Sequence, residues 1–317
     1  MKIAIIGTGK ITENFIDAAV GQDIQLEAVL SRDFERGKIY AEKHGFSRVF
    51  TDIHALAESD IEAVYIASPN AFHAPYAVEL LKRGKHVLCE KPMAASLAEG
   101  EEMFRAADRG GAVLLEGMRS VHDTGFAKLR EVVKTVGTVR RAFFTMCQYS
   151  SRYDNFRQGK IENAFNPKLA NAAVMDIGVY CVSPMVRLFG LPESVTAASV
   201  FLSNGFEGEG TAILKYPHML GEVQYSKITR GSKTSQIQGE DGTILIDAIE
   251  DTRRIEIQRR DSETEVYIID KKPNNMYYEV GEFIRMVKTG GADLHREHTL
   301  NTLRVIDEIR RVSGINF

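Results

Sequence analysis

Apolar and polar positions change their rhythm once along this chain. Up to about residue 120, short apolar runs alternate with stretches of helical spacing. "KIAII" leads into a glycine turn, after which Ile11, Phe15, Ile16 and Ala19 fall on one helical face. "LEAVL" (26–30) follows, then a charged helical segment ending at Gly45. "AVYIAS" (63–68), "HVLCE" (86–90) and "AVLLEG" (112–117) are further apolar runs with helical segments between them. Near-continuous apolar strands joined by helices predict a parallel sheet covered on both faces. The expected fold class is therefore α/β, with an N-terminal Rossmann doubly wound domain over residues 1–120.

From residue 121 to 317 the rhythm becomes that of an α+β domain. "VRRAFFTMCQYS", "SVTAASVFLS", "GTAILKYP", "LGEVQYSKI", "KTSQIQGEDGTILIDAI", "RRIEIQRR" and "TEVYIID" read as strands, with a hairpin turn at Asp241-Gly242. Ile255 and Ile257 alternate with Glu256 and Gln258. Strands that follow one another without helices predict a large, mainly antiparallel open sheet, one face buried on helices. Leu300, Leu303, Ile306 and Ile309 predict a packing helix over about 296–313. A second helix is expected over 171–190, kinked or ended by Pro184. There Asp176 and Tyr180, four apart, should share a face. Gly178 between them costs about 1 kcal/mol relative to Ala in a helix, so something should approach the backbone closely at that point.

Composition narrows the class without choosing a function. The chain has 317 residues, 44% of them apolar and 26% charged, with a net charge of −3. That balance gives no reason to expect a nucleic-acid or membrane-surface partner. No apolar run reaches the roughly 18 residues of a membrane span. The N-terminus enters a strand at once, which argues against a signal peptide. Cys89, Cys147 and Cys181 lie in apolar runs without CxxC spacing, as expected for reduced core residues of a cytoplasmic protein, and no metal site is expected.

The candidate chemistry lies where predicted strands end. Gly7-Thr8-Gly9-Lys10-Ile11-Thr12 has the form of a dinucleotide turn, with Gly7 for the tight turn and Gly9 for close approach of a pyrophosphate. Thr12 replaces the third small residue of that pattern. The second strand ends in Ser31-Arg32, with Arg36 one helical turn on, which favours the 2′-phosphate of NADP(H) over NAD(H). Asp33 has two readings, ribose ligand or helix N-cap. Ser68, Asn70 and His73 should face the crevice beyond the strand ending at 68, although His73 also reads as a satisfied surface histidine. At Glu90-Lys91-Pro92 a buried strand ends in an acid and a base, and Pro92 keeps Lys91 extended at the same sheet edge.

Gly7-Thr8-Gly9, "SPNAFH" and "EKP" at these separations resemble the Gfo/Idh/MocA family, over nearly the whole chain. The resemblance implies a catalytic or substrate-binding Lys91. It implies that "DIGVY" (176–180) is the family's Asp-x-Gly-x-Tyr segment, as in the glucose–fructose oxidoreductase and dimeric dihydrodiol dehydrogenase branch. Ala172 and Ala173 stand where that segment usually has glycines. Glu90 and Arg119 would be cofactor-side residues. Lys91, Tyr180 and Asp176 would be the catalytic set, with either Tyr180 or Lys91 as the final proton donor. The implied function is NAD(P)-dependent hydride transfer at a carbonyl or hydroxyl of a sugar or sugar-derived substrate. A dihydrodiol dehydrogenase-like activity on cyclic diols and a non-catalytic NAD(P)-binding sensor are the alternatives. A homodimer or homotetramer through the C-terminal sheet is also implied.

Overall fold

The protein is described by a computed structural model over residues 1–291 and 295–317. It falls into two compact units, Met1–Gly117 with Asn274–Leu300, and Met118–Pro273 with Asn301–Phe317.

The first unit is built on six strands: β1 (Lys2–Ile6), β2 (Gln25–Leu30), β3 (Arg48–Phe50), β4 (Ala63–Ile66), β5 (His86–Glu90) and β6 (Leu114–Gly117). Their order is β3-β2-β1-β4-β5-β6, and every pairing is parallel. The chain thus winds outward on both sides of β1, and the turns after β1 and β4 lie beside the point where direction reverses. This is where open α/β sheets bind ligands. β3 has no counterpart in the sequence reading, because three residues are too short to show a period. β1 and β4 are buried on both faces, and the Phe15 ring stacks on Tyr65 with centroids 3.9 Å apart. The helix Met276–Thr289, also absent from the sequence reading, belongs to this unit. Its Met276, Val280 and Phe283 share the core of β1 and β4, and Tyr277 O accepts from Gln22 Nε2 at 2.9 Å.

The second unit holds β7 (Val139–Cys147), β8 (Ser194–Phe201), β9 (Glu207–Lys215), β10 (Leu220–Ser226), β11 (Ser235–Gly239), β12 (Thr243–Ile246), β13 (Arg254–Gln258) and β14 (Glu265–Ile268). They form one sheet in the order β14-β13-β12-β11-β7-β10-β9-β8. All neighbours are antiparallel except β7 and β10, which run parallel from Arg141↔Leu220 to Cys147↔Ser226. The exception has a topological cause. β7 enters mid-sheet, the chain leaves through a helix, and the meander β8-β9-β10 brings the next neighbour back in the same direction. The helix Val179–Phe189 packs in the core of this sheet, with Cys181 and Met185 among Val223, Tyr225 and Ile237.

One expectation for that helix needs correction. Pro184 does not end it: the α-helix continues to Phe189. Every residue from Val179 to Val186 is buried, and that burial outweighs the hydrogen bond that proline cannot make. Val174–Gly178, at the start of this helix, is a π-helical turn rather than an α-helical one.

Candidate functional site

The first unit gathers its chemistry at the carboxyl ends of its strands. After β1, Gly7 has φ +111°, and a Cβ there would stand 2.5 Å from Ala67 O, so the fold itself requires glycine. Gly9 differs. Its φ of −92° is ordinary, and an added Cβ would meet nothing within 4 Å. Open space therefore lies over the start of the helix Lys10–Ala19, which no side chain caps. Backbone approachable at a helix N-terminus suits the pyrophosphate of a dinucleotide. Thr8 is half-buried, Lys10 exposed and Ile11 half-buried around this turn. Thr12, fully buried, donates from Oγ1 to Gly7 O at 3.3 Å, so the departure from the small-residue pattern is absorbed inside the turn.

Beyond β2, Asp33 is the N-cap of Phe34–His44, its Oδ1 accepting from Arg36 N at 3.0 Å. Ser31 Oγ donates to Asp33 O at 2.8 Å. Arg32 and Arg36 are exposed, and the Arg32 guanidinium lies 6.0 Å from the Phe72 ring. This end of the strand presents cations.

The turn after β4 departs from expectation. Asn70 is buried, and Ser68 is half-buried. His73 fits the satisfied reading, but it is 1% exposed rather than at the surface. Its Nδ1 lies 3.0 Å from Pro92 O and its Nε2 2.8 Å from Ser68 O. Burial pushes the imidazole pKa down against the pull of those carbonyls. The ring ties the end of β4 to the end of β5.

Glu90 is buried at the end of β5. Its Oε1 accepts from Tyr65 Oη at 2.6 Å and its Oε2 from Lys91 N at 3.2 Å. Its carboxylate fastens the strand end, while Lys91 is half-buried, followed by a cis peptide to Pro92. Glu116, on β6, is a residue the sequence reading overlooked. Its Oε1 accepts from Met93 N at 3.0 Å and its Oε2 from Thr299 Oγ1 at 3.2 Å. Burial pushes its carboxyl up to about 7, with Glu90 adding to the rise and Lys91 opposing it.

In the second unit, Asp176 and Tyr180 sit on the π-turn and the α-helix that continues it. Glu207 holds the start of this segment: its Oε2 accepts from Val174 N at 2.8 Å, its Oε1 from Ser199 Oγ at 2.8 Å and Tyr225 Oη at 2.9 Å. Burial still pushes the Glu207 pKa up against these donors. The group that crowds Gly178 is the protein's own Tyr225 ring, whose Cδ1 would be 2.9 Å from an added Cβ.

Tyr180 is buried, with the Arg119 guanidinium carbon 5.4 Å from its ring centroid. A cation is thus held against the phenol. Asp176 Oδ2 pairs with Lys227 Nζ at 2.7 Å. The Asp176 side chain is 41% exposed and that of Lys227 3%. Lys227 was not singled out in the sequence, because a lysine at a strand end ordinarily reads as solvated. Arg152, Glu162, Asn163 and Ala164 line an open polar cavity of about 340 Å³ in the same unit. Among the described residues, no group of three or more His, Cys, Asp or Glu is placed to hold a metal, and no helix is long and apolar enough to cross a membrane.

Comparison with known proteins now adds to this geometry. Residues 1–118 match the model of an oxidoreductase family with an NAD-binding Rossmann fold, and residues 126–245 match the GFO/IDH/MocA C-terminal domain. The chain is 45% identical over 321 residues to scyllo-inositol 2-dehydrogenase (NADP(+)) IolU of Bacillus subtilis, covering 99% of this chain and 98% of the relative. It is 30% identical over 225 residues to trans-1,2-dihydrobenzene-1,2-diol dehydrogenase of Xenopus laevis, covering 68% and 65% respectively. Its fold is that of KijD10, a 3-ketoreductase from Actinomadura kijaniata solved in complex with NADP and TDP-benzene. The TM-score is 0.88 at 20% identity, over 99% of this chain and 98% of that one. The chain belongs to the Gfo/Idh/MocA family of oxidoreductases.

Proposed function

We propose that the protein is an NADP-dependent dehydrogenase of a polyhydroxylated ring, an inositol or closely related sugar-like polyol. What carries this reading is similarity to an NADP-dependent scyllo-inositol 2-dehydrogenase over essentially the whole of both chains. Ser31, Arg32 and Arg36 support the choice of NADP, since exposed guanidinium groups at the end of β2 suit a 2′-phosphate. The "DIGVY" segment alone leans toward the diol branch, and a diol dehydrogenase is among the relatives. Whole-chain similarity outweighs one motif, so cyclic diols are the second reading.

In this reading the first unit binds the dinucleotide through Gly7, Thr8, Gly9, Lys10 and Ile11, with Ser68 and Asn70 alongside, and the second unit binds the substrate. The bound nicotinamide supplies the hydride chemistry. The protein's task is the proton and the negative charge on the substrate oxygen. Tyr180 exchanges the proton. The Arg119 guanidinium, stacked over its ring, holds the phenol in place. Lys91 serves the same reaction by stabilising developing charge on the oxygen or by handling its proton. Asp176 accepts a hydrogen bond from a substrate hydroxyl.

The test is nicotinamide absorbance with NADP and with NAD against inositols, sugars, osones and cyclic diols. Turnover of an inositol with NADP is expected. Tight NADP binding without turnover across the panel would replace this reading with that of a sensor.

The reading extends to assembly and compartment. The register puts Val200, Ile213 and Leu220 on one face of the eight-stranded sheet, 50%, 41% and 42% exposed. An open sheet face that carries exposed apolar side chains suits self-association as a dimer or tetramer. Light scattering of the purified protein should give a multiple of 35.4 kDa; a monomer at every concentration would exclude it. Three free, buried cysteines suit the cytoplasm.

A further inference from the structure

Lys227 follows β10 and is 2% exposed. Its backbone is held on both sides, N donating to Gly208 O and O accepting from Ser150 N, each at 2.9 Å. The ammonium meets Asp176 Oδ2 at 2.7 Å and the Ala164 carbonyl at 2.8 Å. It also lies over two aromatic rings, 4.9 Å from the centroid of Phe165 and 5.2 Å from that of Phe206. Those rings are packed on each other, with centroids 4.9 Å apart, and Asn204 Nδ2 ties the main chain at Phe165 by a 2.8 Å bond to its carbonyl. The lysine therefore has little freedom to move, while its carboxylate partner is partly open to solvent.

Stability gives this arrangement little reason to exist. Stripping water from an ammonium costs several kcal/mol, and replacing a buried ion pair with apolar side chains of similar volume is often neutral or stabilising. A methionine would lie against Phe165 and Phe206 at nearly the same length. What methionine lacks is the ability to grip one oxygen of Asp176 from the buried side.

We propose that Lys227 is a positioning residue of the dehydrogenase: it fixes the Asp176 carboxylate in the orientation that meets a substrate hydroxyl. This rests on the reading of Asp176 given above and extends it to a residue outside the motif. Because the same ammonium binds Ala164 O, it also ties the 163–165 turn to that carboxylate. Ala164 lines the open polar cavity, so substitutions in this turn should act on polyol recognition through Lys227.

The experiment uses the full-length chain and compares wild type, Lys227→Met, Asp176→Asn and the double variant, with scyllo-inositol and NADP as probes. Lys227→Met should lower kcat/KM for scyllo-inositol about tenfold or more, through a raised polyol KM, and leave the KM for NADP unchanged. Added to Asp176→Asn, it should cost nothing further, because its effect passes through that carboxylate. A folded Lys227→Met with unaltered kcat/KM, an equal loss of NADP affinity, or additive losses in the double variant would each overturn the proposal. Should Lys227→Met fail to fold, the double variant leaves neither charge unpaired and is read against Asp176→Asn in the same way. If neither folds, the pair is scaffold only and the proposal falls. A wild type inactive on every polyol sinks the dehydrogenase reading and this inference with it. An active wild type with an impaired Asp176→Asn and an unimpaired Lys227→Met sinks the inference alone.

Discussion

Single residues in this protein divide into those proposed to face chemistry and those that hold them there. Glu116 is of the second kind. Its carboxyl is raised from an ordinary 4.5 to about 7 by burial, so the folded state keeps a proton that the unfolded chain releases. More protons bound when folded means that stability falls as pH rises, fully present below about 4.5 and lost through about 7. Glu116→Gln keeps an acceptor for Met93 N and removes the titration. Its melting temperature should therefore lose the part of the pH dependence that wild type shows across that window, as calorimetry at several pH values would reveal. An identical pH dependence in the two proteins would mean that Glu116 is not the titrating group. Tyr180 and Lys91 are proposed to be of the first kind. Tyr180→Phe and Lys91→Met should each lower turnover by about a hundredfold or more if both handle the proton or the charge on the substrate oxygen. Near-normal turnover in Tyr180→Phe would remove the tyrosine from the mechanism.

Among the elements, the β1 turn and the helix of Asp176 are where local rules and tertiary demands can be told apart. In the turn, two glycines look alike in sequence and are needed for different reasons. Gly7→Ala would force a left-handed φ on alanine and drive its Cβ into Ala67 O, so loss of folding stability is expected. Gly9→Ala meets no protein atom. It should melt within a degree or two of wild type yet bind NADP about tenfold or more weakly, as measured by calorimetric titration. Unchanged affinity would show that the backbone at Gly9 is not approached by the dinucleotide. In the helix, Gly178 is legible as an oddity, but the group it accommodates is not. Tyr225 stands 47 positions later in the chain and reaches Gly178 only because β10 pairs in the sheet beneath it.

For the molecule as a whole, the prediction that follows is one of linkage. A ligand that binds only the folded state stabilises it, by about 2.7 kcal/mol at a hundredfold excess over its dissociation constant. NADP should raise the melting temperature, and NAD at equal concentration should raise it less. The reverse order would mean that Ser31, Arg32 and Arg36 do not meet a 2′-phosphate. A substitution of both arginines should bring the two shifts together.

The chain's own pattern determined the two kinds of sheet, the strand–helix alternation that makes the first one parallel, the positions of Gly7, Gly9 and Lys91 at strand ends, and those of Asp176 and Tyr180 on one helical segment. Those features are local: periodicity, turn chemistry and short motifs are written in neighbouring residues. Tertiary structure alone decided the rest. It brought the helix Met276–Thr289 into the core of β1 and β4, turned His73 inward between Ser68 O and Pro92 O, raised the Glu116 carboxyl, and seated Lys227 over two packed aromatic rings against Asp176. Each of these depends on which distant segment closes over a side chain and removes its water. Burial of that sort has no period along the sequence from which it could be read.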